Sequence, residues 1–334
     1  MLAIPSVVFA DEKDRPLIDG AAYTKASHLV EIEPGRRLNL YCLGEGSPVI
    51  IFESGLTEPI NNWGWVQPLV SRTTQACSYD RAGVGFSDPI TRSATSANIV
   101  DDLHRMLNSA NIKPPYVLVG HSTGGLSARL YAHTYPDEVV GMVLVDPSDE
   151  NQVTKSRKLY YPEETDEQKQ ADISAFLQTQ KDCMNEAMKG FLPGTELAKK
   201  CRIGQYKQLS AAVQQATNNF QMKLPFWQAQ VSELESFYYA SAEQLRRARK
   251  SFGNMPLIVL TETRIPPRNA SAEKLALWKS SYDLWKSFHI EQAKLSSRGF
   301  QEIVPDAGHQ IPFDKPEVVE NAILRILKMA TTAK

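Results

Sequence analysis

Long hydrophobic runs are absent from this chain, and no apolar stretch approaches the roughly 20 residues that span a bilayer. An excess of charge is absent as well, since 37 Lys and Arg residues stand against 38 Asp and Glu residues. A chain so balanced has no strong electrostatic attraction to nucleic acid or to an anionic membrane surface. We therefore predict neither nucleic acid nor a membrane as a partner.

Histidine is scarce, with six residues in 334, and no pair of them has metal-ligand spacing beside carboxylates. The sequence therefore predicts no metal site. Internal repeats and low-complexity tracts are also missing. What remains is an ordinary globular composition, with 42% hydrophobic and 22% charged residues, and a length that accommodates one large α/β domain with an inserted subdomain.

The first ten residues are apolar and are followed by a charged run at 11–15. Val8, Phe9 and Ala10 resemble a small-residue cleavage site, so we interpret residues 1–10 as the remnant of a signal peptide. The positively charged start of such a signal is missing, and a frayed N-terminal strand is the alternative. The first interpretation predicts a periplasmic or secreted protein, and the second leaves a cytoplasmic one.

Short apolar runs alternate with amphipathic helical runs, which predicts a mostly parallel sheet covered by helices on both faces. The runs that begin at Val49, Tyr116, Val139 and Pro256 are apolar nearly throughout, as strands buried on both faces should be. The predicted strands are 28–33, 37–43, 49–53, 75–79, 116–120, 139–146, 256–261 and 300–304. The predicted helices are 97–110, 124–135, 272–289 and 316–329.

One of these helices, at 272–289, carries a stripe of large apolar residues at helical spacing. We interpret the stripe as part of the core. Its members are Leu275, Trp278, Tyr282 and Trp285.

Residues 149–250 differ in character from the rest of the chain. They are charged, rich in Gln, Lys and Glu, and mostly helical in pattern, with aromatic residues dotted among them. The sequence thus predicts a core formed by residues 11–148 and 251–334, with 149–250 as a helical insertion.

The most informative stretch is Gly120-His121-Ser122-Thr123-Gly124, which lies between a strand pattern and a helical pattern. Gly120 and Gly124 stand where a side chain would clash as the chain doubles back, and the sharp turn exposes the Ser122 hydroxyl. This combination resembles the nucleophile elbow of the α/β-hydrolase superfamily. The resemblance implies the α/β-hydrolase fold, an eight-stranded, mostly parallel sheet with helices on both faces and a helical cap inserted after the sixth strand.

A serine of this kind needs a base and an acid beside it, and in this fold the chain order is Ser, acid, His. His309 follows a late strand and precedes a helix opened by Pro316, and its Gly-His loop resembles the catalytic histidine loop of the family. His121 neighbours Ser122 within the elbow, and we interpret it as a packing residue behind the site. The other histidines lie in strand or helix patterns and are interpreted as structural or surface residues.

Two residues are candidates for the acid. Asp146 ends the predicted sixth strand, which borders the strand that leads to Ser122. Many members of the family place the acid after the seventh strand, where this chain has Glu262 and no Asp. We favour Asp146 and keep Glu262 as the alternative, in which case Asp146 would cap the loop that enters the insertion.

The oxyanion that forms on a substrate carbonyl requires two backbone N–H groups. The resemblance assigns one of them to Thr123, the residue after the nucleophile, and we choose Leu56, after Gly55, for the other. The family often has His-Gly where this chain has Ser-Gly, but a backbone donor survives that change. The loop at 80–87 resembles the Asp-x-x-Gly-x-Gly-x-Ser loop of the family, and we predict that it supports the pocket.

In the sheet that the resemblance implies, Cys42 and Cys77 fall on the second and fourth strands, which are neighbours. Cys183 and Cys201 both fall in the insertion, which looks like the cap that roofs many α/β-hydrolase sites; a peripheral helical decoration is the plainer reading. Of the three pairings that four cysteines allow, we choose Cys42–Cys77 with Cys183–Cys201. Four buried free thiols are the alternative. Disulfides would agree with an oxidising compartment.

The resemblance implies acyl transfer to water by Ser122, His309 and the acid, with no cofactor. A serine at the elbow argues against haloalkane dehalogenase and epoxide hydrolase chemistry, which use an Asp nucleophile in this fold. We expect a small-molecule substrate, a small to medium, mostly uncharged ester or lactone, under a roof of aromatic residues from the insertion. Amides, thioesters and C–C bonds stay open, as does a ligand receptor of the same fold with slow or no turnover. The sequence does not indicate the oligomeric state.

Overall fold

The computed structural model describes residues 15–190, 195–201 and 206–331, and the predicted signal remnant at 1–10 lies outside them. Within the described residues, eight strands form one sheet in the order β1-β2-β4-β3-β5-β6-β7-β8. The strands are β1 (His28–Glu33), β2 (Arg36–Leu43), β3 (Val49–Glu53), β4 (Ala76–Tyr79), β5 (Tyr116–His121), β6 (Val139–Val145), β7 (Leu257–Thr261) and β8 (Gly299–Ile303).

Strand β2 runs antiparallel to both of its neighbours, β1 and β4, and the remaining pairs are parallel. This mostly parallel sheet confirms the predicted fold class. Each strand begins and ends within one residue of its predicted bounds. The prediction is this close because every residue of β3, β5 and β7 is buried, so the apolar run in the sequence coincides with the strand itself.

Helices cover both faces of the sheet. Consecutive side chains of β5 point to opposite faces of the sheet. Leu118 belongs to the same hydrophobic cluster as Leu103 and Leu126, whereas Val117 belongs to a second cluster with Ile323. The helices are α1 (Gln67–Val70), α2 (Ser96–Ser109), α3 (Gly124–Thr134), α4 (Gln152–Tyr160), α5 (Asp166–Lys189), α6 (Glu196–Lys200), α7 (Ala211–Gln221), α8 (Leu224–Tyr238), α9 (Ala240–Ala248), α10 (Ala272–Ala293), α11 (Ile311–Asp314) and α12 (Pro316–Thr331). In the described ranges, no helix combines the length and apolarity needed to cross a membrane.

The six helices α4 to α9 lie between β6 and β7, so a helical insertion follows the sixth strand, as expected for the fold. We refer to these helices as the cap; the exact domain bounds of 149–250 stay a prediction. A buried ion pair joins the start of the insertion to the core, since Arg129 on α3 lies 2.7 Å from Glu150. Burial raises the pKa of Glu150, but the charge of Arg129 outweighs it and lowers that pKa to about 2.

Both predicted disulfides are present. Cys42 and Cys77 lie directly opposite each other on β2 and β4 and are bonded. Cys183, on α5, is bonded to Cys201, which follows α6. The alternative of four free thiols is therefore wrong, and one disulfide staples the sheet while the other staples the cap.

The predicted core stripe on α10 is only partly correct. Trp285 is buried, but Leu275 is 39% exposed, and Trp278 and Tyr282 are half-buried. The first turns of α10 lie largely in solvent, so the apolar periodicity continues beyond the turns that the core covers.

Candidate active site

Ser122 lies at the sharp turn between β5 and α3, where its backbone adopts a left-handed conformation with φ of 51°. A Cβ atom at Gly120 would lie 2.8 Å from the carbonyl oxygen of Gly124, and one at Gly124 would lie 2.3 Å from that of Glu53. Only glycine fits at these two positions. A serine held in this unfavourable region is a strained feature of the kind that concentrates at functional sites.

His309 lies in the loop after β8 and meets Ser122 across 187 residues of sequence. Its Nε2 atom is 3.0 Å from the Ser122 Oγ atom. Its Nδ1 atom is 2.6 Å from Oδ2 of Asp146. When Nδ1 carries the proton and donates it to the carboxylate, Nε2 is left to accept from the serine hydroxyl.

Asp146 directly follows β6 and is fully buried, with a left-handed φ of 42°. Its second oxygen, Oδ1, accepts hydrogen bonds from the backbone N–H of Glu262 at 2.9 Å and from the indole N–H of Trp285 at 3.0 Å. Burial raises the pKa of Asp146, but the hydrogen bond from His309, the charges of His289 and His309 and the backbone N–H of Glu262 outweigh it, and the pKa lies below its usual value. The carboxylate therefore stays ionised while buried.

Glu262 makes no hydrogen bond to His309 among the described residues. Its carboxylate pairs with Arg264 at 2.5 Å, and only its backbone touches Asp146. Of the two candidate acids, Asp146 is the one in contact with the imidazole.

Ligand atoms of Asp146, Glu262 and His309 lie within 4.8 Å of one another, as close as metal ligands would be. However, both Asp146 oxygens accept N–H donors, and Glu262 faces a guanidinium. A cation would have to displace these donors, so the hydrogen-bond chemistry of the cluster fits a carboxylate–imidazole pair better than a metal centre.

The loop at 54–57, after β3, presents the backbone N–H of Leu56 as an unpaired donor. The N–H of Gly55 donates to Glu58 at 2.9 Å, and the N–H of Thr57 donates to Glu233 of the cap at 3.1 Å. Within the described residues, neither the N–H of Leu56, which lies between them, nor that of Thr123 has a hydrogen-bond partner. Both groups chosen from the sequence are therefore free to bind an anionic oxygen.

Arg81 ties this loop to the cap. Its guanidinium donates to the carbonyl oxygen of Gly55 at 3.1 Å, to Glu233 on α8 at 2.9 Å and to Glu53 at 3.2 Å, and all three charged side chains are buried. The same Glu233 oxygen holds the N–H of Thr57. The position of the loop therefore depends on how the cap is docked.

His121 is fully buried behind the site and is more than a packing residue. Its Nδ1 atom lies 3.0 Å from Glu58, and its Nε2 atom lies 2.9 Å from the carbonyl oxygen of His309. Burial lowers the pKa of His121, but the Glu58 carboxylate outweighs it and the pKa is raised. The ring therefore braces the loop that carries His309.

Sequence reasoning missed three residues that support the site: Glu58, Glu233 and Trp285. Trp285 was predicted as a core residue of the α10 stripe. A buried indole N–H needs a hydrogen-bond acceptor, and this need could have indicated that Trp285 contacts a polar group. The two glutamates belong to no motif and come near the site only through folding.

The predicted support loop at 80–87 is held by a single buried carboxylate. Asp80 accepts from Asn39, from the backbone N–H of Phe86, and from the backbone N–H of Ile60, at 2.8, 3.1 and 3.0 Å. Through Ile60 it also fixes the segment that continues from the loop at 54–57.

Comparisons of sequence identify the relatives of this chain. A family model described as the alpha/beta hydrolase fold matches residues 48–316. The uncharacterized protein YqjL of Bacillus subtilis strain 168 is 23% identical over 280 residues, which cover 84% of this chain and 83% of YqjL. Other relatives match over shorter stretches, and the chain spans 39% of YbdG from the same strain.

Solved structures show the same fold at low sequence identity. The epoxide hydrolase CorEH superimposes with a TM-score of 0.59 and 14% identity, over 90% of this chain and 98% of that protein. A thermophilic esterase from Thermogutta terrifontis gives a TM-score of 0.57 and 19% identity, over 90% and 97%. Because the family model spans most of the sequence, this chain belongs to the α/β-hydrolase fold family.

Proposed function

We propose that this chain is a serine hydrolase that cleaves an uncharged carboxylic ester or lactone through an acyl-enzyme. The observation that carries the proposal is the continuous hydrogen-bonded series from Ser122 Oγ through His309 to Asp146, with distances of 3.0 and 2.6 Å. A serine hydroxyl is a poor nucleophile on its own, and this arrangement supplies its base and the group that orients the base.

In the proposed reaction, Ser122 attacks the substrate carbonyl carbon while His309 accepts the hydroxyl proton. The imidazolium that forms is stabilised by the ionised Asp146 and then donates its proton to the leaving alcohol. Water, deprotonated by the same imidazole, then attacks the acyl-serine. As the bond to Ser122 Oγ breaks and the acid is released, the imidazolium returns the proton to that oxygen. The unpaired N–H groups of Leu56 and Thr123 bind the oxyanion in both halves, and each such donor lowers the barrier by about 3 kcal/mol.

The fold is similar to that of both an epoxide hydrolase and an esterase, and one fold hosts many reactions. The type of bond that is cleaved must therefore be inferred from the residues of the site. Opening an epoxide with Ser122 would leave an alkyl-serine ether, which has no carbonyl for water to attack. Acyl chemistry with a serine nucleophile regenerates the enzyme, and this favours an ester or lactone over an epoxide.

A series of p-nitrophenyl esters with increasing acyl length tests the proposal, together with labelling by a fluorophosphonate. We expect steady turnover and labelling in the native protein and neither in Ser122→Ala, whose melting temperature should stay close to that of the native protein. Labelling without turnover of any ester over many equivalents would instead support a ligand receptor. Turnover near the native rate in Ser122→Ala would overturn the assignment of the nucleophile.

We further propose that the protein works in an oxidising compartment, periplasmic or secreted, on a small molecule and without nucleic acid or a membrane as partner. The two disulfides support this, since such bonds persist where thiols are not kept reduced. Thiol titration of protein purified from its native host, denatured without reductant, should find no free thiol. Four free thiols would contradict the proposed compartment.

A further inference from the structure

A cavity of about 660 Å³ lies between the core and the cap. Its wall includes Leu56, which carries one of the proposed oxyanion donors, and Gln310, the residue after His309. The cavity therefore adjoins the reacting groups. Its volume is in the range of sites that enclose a whole small molecule.

The wall of this cavity is unusually rich in primary amides. Seven of its 22 lining residues are Asn or Gln, contributed by both the core and the cap. Apolar contact comes from cap aromatics, including Phe176, Phe226 and Trp227, as the sequence led us to expect. Its carboxylate, Glu58, is already paired with His121. The amides are thus the most frequent polar side chains of the wall.

Three of these amides have at least one buried polar atom without a hydrogen-bond partner. The Asn62 side chain is only 2% exposed, yet neither its Oδ1 nor its Nδ2 atom has a hydrogen-bond partner. Gln221, on the cap helix α7, is 7% exposed and its Oε1 atom is also unpaired, as is Oε1 of Gln310. A buried amide without a partner destabilises a folded protein, so such groups call for an explanation.

We infer that this cavity binds a neutral part of the substrate that carries hydroxyl or carboxamide groups, rather than a plain alkyl chain. A primary amide both donates and accepts, and so do hydroxyls and carboxamides, which makes them its complement. A cationic group would find no unpaired carboxylate in the wall, and the one ammonium of the wall, Lys200, is exposed to solvent. An alkyl group would leave the buried amides unpaired. The inference rests on the proposed ester hydrolysis and specifies its substrate class.

Two esters of equal chain length test the inference: p-nitrophenyl hexanoate and p-nitrophenyl N-acetyl-β-alaninate, which places an amide within the acyl chain. The measured quantity is the ratio of their kcat/KM values, each divided by the rate of uncatalysed hydrolysis. We expect the native protein to favour the amide ester about tenfold or more, since a site built to hydrogen-bond a group rejects the analogue that lacks it.

Variants of Asn62 and Gln221 test whether the amides cause the preference for the amide ester. Asn62→Leu and Gln221→Met, which replace an amide with an apolar group of similar size, should each lower the ratio about tenfold. Asn62→Leu should also raise the melting temperature of the free protein by about 2 °C or more, because it removes an unpaired buried group. Asn219→Leu is the matched control, since Asn219 is exposed on the same helix as Gln221 and does not line the cavity; its ratio should stay unchanged.

The proposed hydrolase and the inference about its substrate class have separate tests. If Ser122-dependent hydrolysis occurs but the alkyl ester is preferred, or if neither variant moves the ratio, the inference is overturned and the proposed hydrolase stands. An amide paired with trapped water would give this result. If neither ester is hydrolysed and the fluorophosphonate does not label Ser122, the proposed function fails, and the inference fails with it.

Discussion

The indole N–H of Trp285 donates a hydrogen bond to Oδ1 of Asp146, 3.0 Å away, from a helix that begins 126 residues after that aspartate. The same ring lies under the guanidinium of Arg264, 5.0 Å from its centroid, and Arg264 in turn pairs with Glu262. The tryptophan therefore holds one oxygen of the buried carboxylate while His309 contacts the other. By packing against Arg264, the ring also supports the ion pair between Arg264 and Glu262, the other candidate acid.

Replacing Trp285 by Phe should lower kcat for p-nitrophenyl acetate about tenfold. The change keeps an aromatic ring in the core but removes one donor to an ionised acceptor, a bond worth about 1.5–3 kcal/mol. Trp278→Phe is the control, because Trp278 is half-buried on the same helix and makes no hydrogen bond to Asp146 among the described residues. Equal kcat values in the two variants would show that the indole hydrogen bond does not support the carboxylate.

Asp146→Asn and Glu262→Gln should differ sharply. The first removes the charge that orients His309 and stabilises its protonated form, so kcat should fall roughly a thousandfold or more. The second removes a charge already paired with Arg264 and should change kcat by less than about threefold. Steady-state kinetics on one ester decides between them, and a larger loss in Glu262→Gln would reverse the assignment of the acid.

Stability at acid pH should depend on Glu58. Burial raises the pKa of Glu58, but the charge of His121 and hydrogen bonds outweigh it and lower the pKa to about 2. A depressed carboxyl pKa contributes stability above its ordinary value of 4.5, and that contribution is lost as the pH falls from 4.5 towards 2. The opposite holds for His121, whose pKa is raised: its share is complete below 6.5 and is lost as the pH rises through the elevated value.

We therefore expect Glu58→Gln to be less stable than the native protein by about 3 kcal/mol at most near pH 6. Urea denaturation of both proteins at pH 6, 4, 3 and 2 should show this gap closing towards pH 2. A gap of constant size over that series would mean that the carboxylate is not held by the charge of His121.

The two disulfides should differ in their effect on substrate binding. They link residues 18 and 35 positions apart, and removal of either, by paired Cys→Ser changes, should cost about 3 to 4 kcal/mol of stability. Cys201 lines the cavity under the cap, so loss of Cys183–Cys201 should also raise KM. Loss of Cys42–Cys77 should leave KM unchanged at temperatures where the protein stays folded, and a KM increase of the same size in both variants would contradict this difference.

Much of the fold was predictable because its signals are local. Strand β6 is apolar from end to end, and the glycines at 120 and 124 mark a turn that no other residue fits. The weaker predictions concern α10, where Leu275 continues an apolar period into solvent. The apolar periodicity predicts the helix, but it does not show how far along that helix the rest of the core extends.

The amino-acid sequence alone determined the succession of strands and helices and the choice of Ser122 and His309, since these depend on short patterns. The cysteine pairing was an expectation that followed from the resemblance to the α/β-hydrolase fold. Only the folded structure shows that Asp146, rather than Glu262, contacts the imidazole, because such a contact depends on backbone angles and on competing partners such as Arg264. The folded structure was also needed to reveal Glu58, Glu233 and the unpaired amide of Asn62. Their roles depend on residues that are far away along the chain, and a local sequence pattern does not predict which distant residues come into contact.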